Sequence, residues 1–214
     1  MARAKKKIKL TWAELKHQRN ALERFELYLP TLRLKQQQLQ MAIGKVQREY
    51  EEVLTELRNS EASISAYEPL FRDRAGIHLE EATEPEEVRT RTKNLGGVRV
   101  NTFESASFSD SSYSLFGTPP WVDRALADLK RRNQLIARLE LVEQQMTLLQ
   151  AELKKVSQRV NLFEKIIIPE TRGNIRRIRI ALGDAMTAAV ARAKIAKAKL
   201  EDRERKRMSE ADAV

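Results

Sequence analysis

The sequence predicts an all-α protein: a long antiparallel two-helix coiled coil of N- and C-terminal helices, with a central insert containing a short β-hairpin. Three observations carry this. Apolar residues recur at heptad spacing through the first third of the chain and again, more strictly, through the last third, and the segment between them changes composition entirely. The overall usage agrees: 33% of the 214 residues are charged and 6% aromatic, with 7 glycines and 6 prolines, which is long-helix usage rather than that of a packed α/β core. Burial is therefore expected along a seam.

In the first third one heptad column holds Ile8, Leu15, Leu22, Leu29, Gln36, Ile43, Tyr50, Leu57 and Ile64. The other holds Gln18, Phe25, Leu32, Leu39, Val46, Val53 and Tyr67. Thr11 is placed as N-cap, with Glu14 three residues on as the partner in a capping box. The helix is expected to run to about Tyr67. Pro30 removes one backbone hydrogen bond, but the heptad phase is the same on both sides, so the expectation is a kinked continuous helix.

In the last third Leu135, Leu139, Val142, Met146, Leu149, Leu153, Val156, Val160, Phe163 and Ile167 follow spacings of four and three without exception. Pro119, Pro120 and Trp121 suit a helix start. Past Pro169, the second kink candidate, Ile175, Ile178 and Leu182 keep helical spacing, so the helix is expected to resume. At about 1.5 Å rise per residue each long helix would span on the order of 80 to 100 Å.

The domain reading is 1–68 for the N-terminal helix, 69–119 for the insert, 120–208 for the C-terminal helix and 209–214 for a flexible tail. The insert gathers Pro69, Gly76, Pro85, Gly96, Gly97, Gly117 and the run SASFSDSSYS. Within it Val88, Thr90 and Thr92 alternate with Arg89, Arg91 and Lys93. Asn94 to Gly97 supplies a turn, and Val98 and Val100 alternate again, which predicts a hairpin or two short strands.

Folding back would bring both chain ends to one tip. That tip would be strongly basic, with Arg3, Lys5, Lys6, Lys7, Lys9, Lys16 and Arg19 near the start. Arg192, Lys194, Lys197, Lys199, Arg203, Arg205, Lys206 and Arg207 lie near the end. The net charge of +10 implies an acidic partner without choosing its kind. No cysteine is present, which excludes disulfides and thiolate chemistry. No apolar run approaches the ~18 residues of a spanning helix and the start has no signal-peptide core, so a cytoplasmic chain without membrane insertion is expected.

Enzyme chemistry has no visible apparatus. There is no GxxxxGK[ST] or GxGxxG loop, and His17 and His78 lie far apart without acidic or cysteine partners at ligand spacing. His17 reads as a surface histidine, and Glu80 and Glu81 beside His78 as ordinary solvated charges. No catalytic residue, cofactor or metal is expected.

The pattern RGNIRRIR instead suggests contact. Arg172, Arg176 and Arg179 share one helical face, with Arg177 about 100° from Arg176. They are a solvated basic face or, on the sharper reading, a stripe meeting a partner's carboxylates, since guanidinium pairs bidentately and stays charged. Downstream, Ala181, Gly183, Ala185, Ala188, Ala189, Ala191, Ala193, Ala196 and Ala198 surround the helix on all sides. They reflect either high helix propensity alone or a thin helix presenting few knobs to an enclosing surface.

Across 156–182, VSQRVNLFEKIIIPETRGNIRRIRIAL resembles the C-terminal signature of the D subunit of V/A-type (vacuolar-type) ATPases and ATP synthases, of the form VNxLE…IP…NTIRYI. Val160, Asn161, Glu164, Ile168, Pro169, Ile175, Arg176 and Ile178 stand at matching positions, with Leu162 and Asn174 beside them. KIKLT at the start, YLPTLRLKQQQLQ at 28–40 and NLGGVRV at 94–100 extend it, the last two resembling the bacterial branch. The resemblance implies a central rotor shaft that enters a hexamer of catalytic A and B subunits. It would bind the F subunit of the stalk and rest in a socket, the C/d subunit, above the membrane ring. From the cytoplasmic face it would couple ATP turnover to proton or sodium transport, with no bound nucleotide of its own. The alternatives left by the residues alone are a basic coiled-coil nucleic-acid binder and a scaffold protein. Against the first, aromatic residues do not interleave with the basic ones.

Overall fold

The computed structural model describes residues 8–72, 79–109 and 117–211. Gly76, His78, the basic residues from Arg3 to Lys7, the serine run from Asp110 onward and the last three residues of the expected tail lie outside them. So do the side chains of Glu80, Glu81, Lys206 and Arg207. The order is α1 (Trp12–Ser65), a 3₁₀ turn (Glu68–Arg72), α2 (Leu79–Thr83), β1 (Pro85–Leu95), β2 (Val98–Phe108), α3 (Trp121–Leu162), a π turn (Phe163–Ile167) and α4 (Ile168–Ala211). The chain is predominantly helical, as the heptads predict, with one antiparallel hairpin between its long helices.

α1 begins where Thr11 caps it. The Glu14 amide donates to Thr11 Oγ1 at 3.3 Å and the Leu15 amide to the Thr11 carbonyl at 3.0 Å. The Glu14 carboxylate accepts from Gln18 Nε2 at 2.7 Å, one turn further on. Pro30 lies inside a helix that does not break, and the Thr31 hydroxyl donates to the Tyr28 carbonyl at 2.8 Å beside it. At the far end α1 tightens into 3₁₀ geometry, with amides of Tyr67 and Leu70 reaching back three residues. It stops at Ser65, two residues before the expected Tyr67.

The chain forms two compact units, residues 32–158 and residues 1–31 with 159–214. In the 32–158 unit, Leu39, Val46 and Val53 of α1 are buried, as are Leu135, Val142, Leu149 and Val156 of α3. Seam positions Leu32, Ile43, Leu139, Met146 and Leu153 are half-buried. Polar pairs fix an antiparallel register: Lys35 with Glu152 and Arg138 with Glu49, both at 3.3 Å, Gln36 with Ser157 at 3.1 Å, and Tyr50 with Glu143 at 3.2 Å. Rising numbers on α1 meet falling numbers on α3.

The hairpin belongs to this unit and its strands are eleven residues each, longer than the alternation alone suggests. Gly96 and Gly97 form the two-residue loop with φ of 59° and 85°, the left-handed geometry that favours glycine in tight hairpins. Asn94 Oδ1 accepts the Gly97 amide at 2.9 Å. β2 lies against α3: Val100 is buried, Gln145 Nε2 donates to the Asn101 carbonyl at 2.9 Å, and Lys130 Nζ donates to the Ser109 carbonyl at 3.4 Å. Eight strand residues at about 3.3 Å and fifteen helical residues at about 1.5 Å cover similar lengths, so β2 can track α3 antiparallel along its whole course. No residue of β1 is buried.

In the other unit Leu15, Ile175 and Ile178 form the buried core, with Ile8, Leu22 and Leu182 packed against it. Phe25 meets Phe163 edge-on at 5.5 Å between centroids. Ile175 and Ile178 continue the apolar row as the sequence expects, but Ile167 is half-buried and the buried set is Ile168, Thr171, Ile175 and Ile178, one position past a strict four-three continuation from Ile167. The cause is the π turn: the Ile168 amide donates to the Phe163 carbonyl, five residues back. This absorbs one extra residue and moves the seam by one position. Pro169 has no amide to give to the Lys165 carbonyl and its ring would crowd that group in an α-helix. The wider turn just before it relieves the conflict.

Candidate partner interface

The arginines flagged in the sequence sit in α4 beside this core. All of Arg172, Arg176, Arg177 and Arg179 are exposed, while Ile175 and Ile178 between them point into the seam. At about 100° per residue Arg172, Arg176 and Arg179 form a stripe roughly a quarter turn from the buried side, and Arg177 lies beyond them. Arg172 is engaged within the coil: one guanidinium nitrogen lies 2.7 Å from Glu26 Oε1 of α1. Both partners are largely solvated, so the pair contributes little to stability, but it holds the first member of the stripe in place. Arg176, Arg177 and Arg179 lie along solvent.

From Gly183 to Arg205 every residue is exposed. Met186, Val190, Ile195 and Leu200 are 57–58% exposed amid the alanines. The apolar cluster with α1 ends at Leu182. A helix with alanine on all sides and four exposed large apolar residues gains no burial of its own here.

The far part of the 32–158 unit holds a different site. Tyr67 meets Phe71 edge-on and Phe71 meets Trp121 at a tilt, with ring centroids 5.7 and 5.6 Å apart, and Ala82, Val122 and Leu126 are buried beside Trp121. Tyr67 donates to Asp128 Oδ2 at 2.6 Å. Burial, and then that bond, pushes its phenol up to about 12. Tyr50 is raised in the same direction by its hydrogen bond to Glu143. An open groove of about 670 Å³ lies nearby, walled by Ile64, Phe71, Leu79 and Leu129 with Glu68, Glu84 and Arg132 at its polar positions. Among the described residues no cluster of metal-ligating side chains occurs, and no helix is long and apolar enough to cross a membrane. His17 is solvated, 3.9 Å from Glu14.

The cross-helix clasps escaped the sequence reading. Their signal was present as Gln36, Tyr50 and Tyr67 in seam columns, since a polar residue recurring at a seam position needs a partner from the facing helix.

Comparison with known proteins matches this arrangement to one family. The model of the family described as the ATP synthase D subunit matches residues 14–198. The V-type ATP synthase D subunit of Borreliella burgdorferi is 41% identical over 194 residues, 91% of this chain and 95% of the relative. That of Chlamydia abortus is 34% identical over 197 residues, 92% and 95% of the two chains, and that of Chlamydia muridarum 31% over 199 residues. With such coverage of both long helices and the hairpin, the chain belongs to the family of ATP synthase D subunits.

Proposed function

We propose that this chain is the central-stalk rotor shaft of a V/A-type rotary ATPase or ATP synthase. It would couple ATP hydrolysis or synthesis in a head of A and B subunits to rotation of a membrane ring and transport of protons or sodium. The observation that carries this reading is α4 in a relative of the D subunits: a register-locked, paired stretch gives way at Leu182 to an exposed, alanine-rich helix. Such a helix turning inside an enclosing cavity offers few side chains that would lock one orientation. Catalysis would reside on other subunits, and the chain would lie peripherally on the cytoplasmic face, meeting the F subunit of the stalk and the C/d subunit as socket.

Coupling requires that the shaft differ from side to side. A ligand or partner shifts an equilibrium only through differential contact with its states, so three otherwise equivalent catalytic interfaces must meet different surfaces of the shaft. Arg176 and Arg179 on one flank of α4, with the buried seam to one side and Arg177 on another azimuth, supply that asymmetry. Guanidinium groups facing the head's carboxylates would favour one interface state at each dwell.

Purification of the tagged chain from its own cells is expected to bring A, B and F subunits with it. Co-purifying nucleic acid with steeply salt-dependent affinity would instead support a nucleic-acid binder, and a self-associated chain alone would support a scaffold. In the assembled complex, Arg176→Glu with Arg179→Glu is expected to weaken insertion or uncouple ATP turnover from rotation. Intact assembly and coupling in that double variant would defeat the arginine contact.

A further inference from the structure

We infer that Phe163–Gly173 is a compliant joint built into the C-terminal helix, a stretch that yields in twist more readily than the turns on either side. Three features that weaken a helix fall within it. The π turn replaces α bonds with the longer-range Ile168-to-Phe163 bond, of poorer packing. Pro169 withdraws a donor one residue later. Gly173 adds backbone freedom, although a Cβ placed there would meet nothing within 4 Å, so no neighbour requires a glycine.

The seam fixes where the joint lies. If the extra residue moved towards the C-terminus, Glu170, Asn174 and Arg177 would rotate into the seam in place of Thr171, Ile175 and Ile178. If it moved towards the N-terminus, Ser157, Asn161 and Glu164 would replace Val156, Val160 and Phe163. Either shift exchanges apolar burial for polar or charged groups, so the π turn is pinned between Phe163 and Ile168. α1 meets both ends of the stretch with adjacent residues, Phe25 packing against Phe163 and Glu26 in a largely solvated ion pair with Arg172. The solvated pair can loosen as the stretch yields while the apolar contacts keep the helices paired. Removing one residue would restore strict four-three spacing through Val160, Phe163, Ile168, Thr171, Ile175 and Ile178, so the extra residue is dispensable to the seam.

Amide hydrogen exchange on the full chain tests the joint itself. Amides of 163–173 are expected to exchange about tenfold faster than those of 146–160, reporting local opening. Deletion of Ile166, which is half exposed, should remove most of that difference, and Gly173→Ala should slow exchange about fivefold by its gain in helix preference. Equal protection of the two stretches in the natural chain would overturn the joint, as would a folded deletion variant with unchanged exchange. If the deletion variant does not fold, the comparison of 163–173 with 146–160 in the natural chain decides the matter. If no rotary subunits associate with the chain, the shaft reading fails while the exchange difference within the isolated chain still stands or falls separately.

Discussion

The 32–158 unit and the C-terminal half of α4 are built from similar helix-forming sequence but bury their residues oppositely. In the first, Leu39 and Leu149 are wholly buried and four cross-helix polar pairs set the register. In the second, no residue from Gly183 to Arg205 is even half-buried. Side-chain composition alone does not account for the difference, since Met186, Val190, Ile195 and Leu200 are as apolar as seam residues. One region completes its burial within the chain, and the other keeps its apolar side chains exposed.

The largest test of that contrast is paired truncation. Leu149→Ala removes a side chain with no exposure and is expected to cost about 2–5 kcal/mol in denaturant unfolding. Met186→Ala, at 58% exposure, should change stability by less than about 0.5 kcal/mol. Equal losses would mean the two regions are not distinguished by burial. An intermediate effect is expected at the hairpin loop. Gly96 has φ of 59°, and a Cβ there would stand 3.1 Å from Leu39 Cδ2, so Gly96→Ala should cost about 1–2 kcal/mol from left-handed strain alone. A neutral substitution would show that the loop does not require left-handed backbone at this position.

The smallest effect concerns Tyr67. Its phenol is raised to about 12 in the folded chain. Below pH 10 it is protonated in both states and its full contribution is present. Between pH 10 and 12 the unfolded chain releases the proton while the folded chain keeps it, so stability falls as pH rises. Tyr67→Phe should lower stability by about 0.5–1.5 kcal/mol at neutral pH through the lost bond to Asp128, and should flatten that alkaline decline. An unchanged alkaline slope in thermal melts at stepped pH would place the titration elsewhere.

Much of this architecture was legible because heptads are a physical requirement of paired helices. Leu22, Phe25, Leu29, Leu32, Leu39, Ile43 and Val46 can be read off directly, as can the series from Leu135 to Ile167, and none of them is exposed. Ile175, Ile178 and Leu182 are legible as the resumed row, but how the chain absorbs the extra residue between Ile167 and Ile175 is not. The π turn arises from competition between the α hydrogen-bond pattern, the Pro169 ring and the burial of Ile168, and spacing alone does not say which gives way. The hairpin is legible too, from the alternation around the Asn94–Gly97 turn, and pairing with β1 carries strand geometry on through the small polar residues of Asn101 to Phe108. The arginines could be placed on one face from their numbers, but the capture of Arg172 by Glu26 needed the facing helix.

The hairpin has one further consequence. α3 covers one edge of the sheet through Gln145, and β1 forms the other, an eleven-residue strand with no buried side chain. A long open edge is a template on which another extended chain can add by backbone pairing. Glu86, Glu87, Arg89, Arg91 and Lys93 crowd that strand with charge, and register irregularities at Pro85/Glu87 and Arg89/Thr90 disturb its regularity. A strand added along β1 would extend the sheet into an intermolecular one. The charges on β1 keep that edge from becoming adhesive.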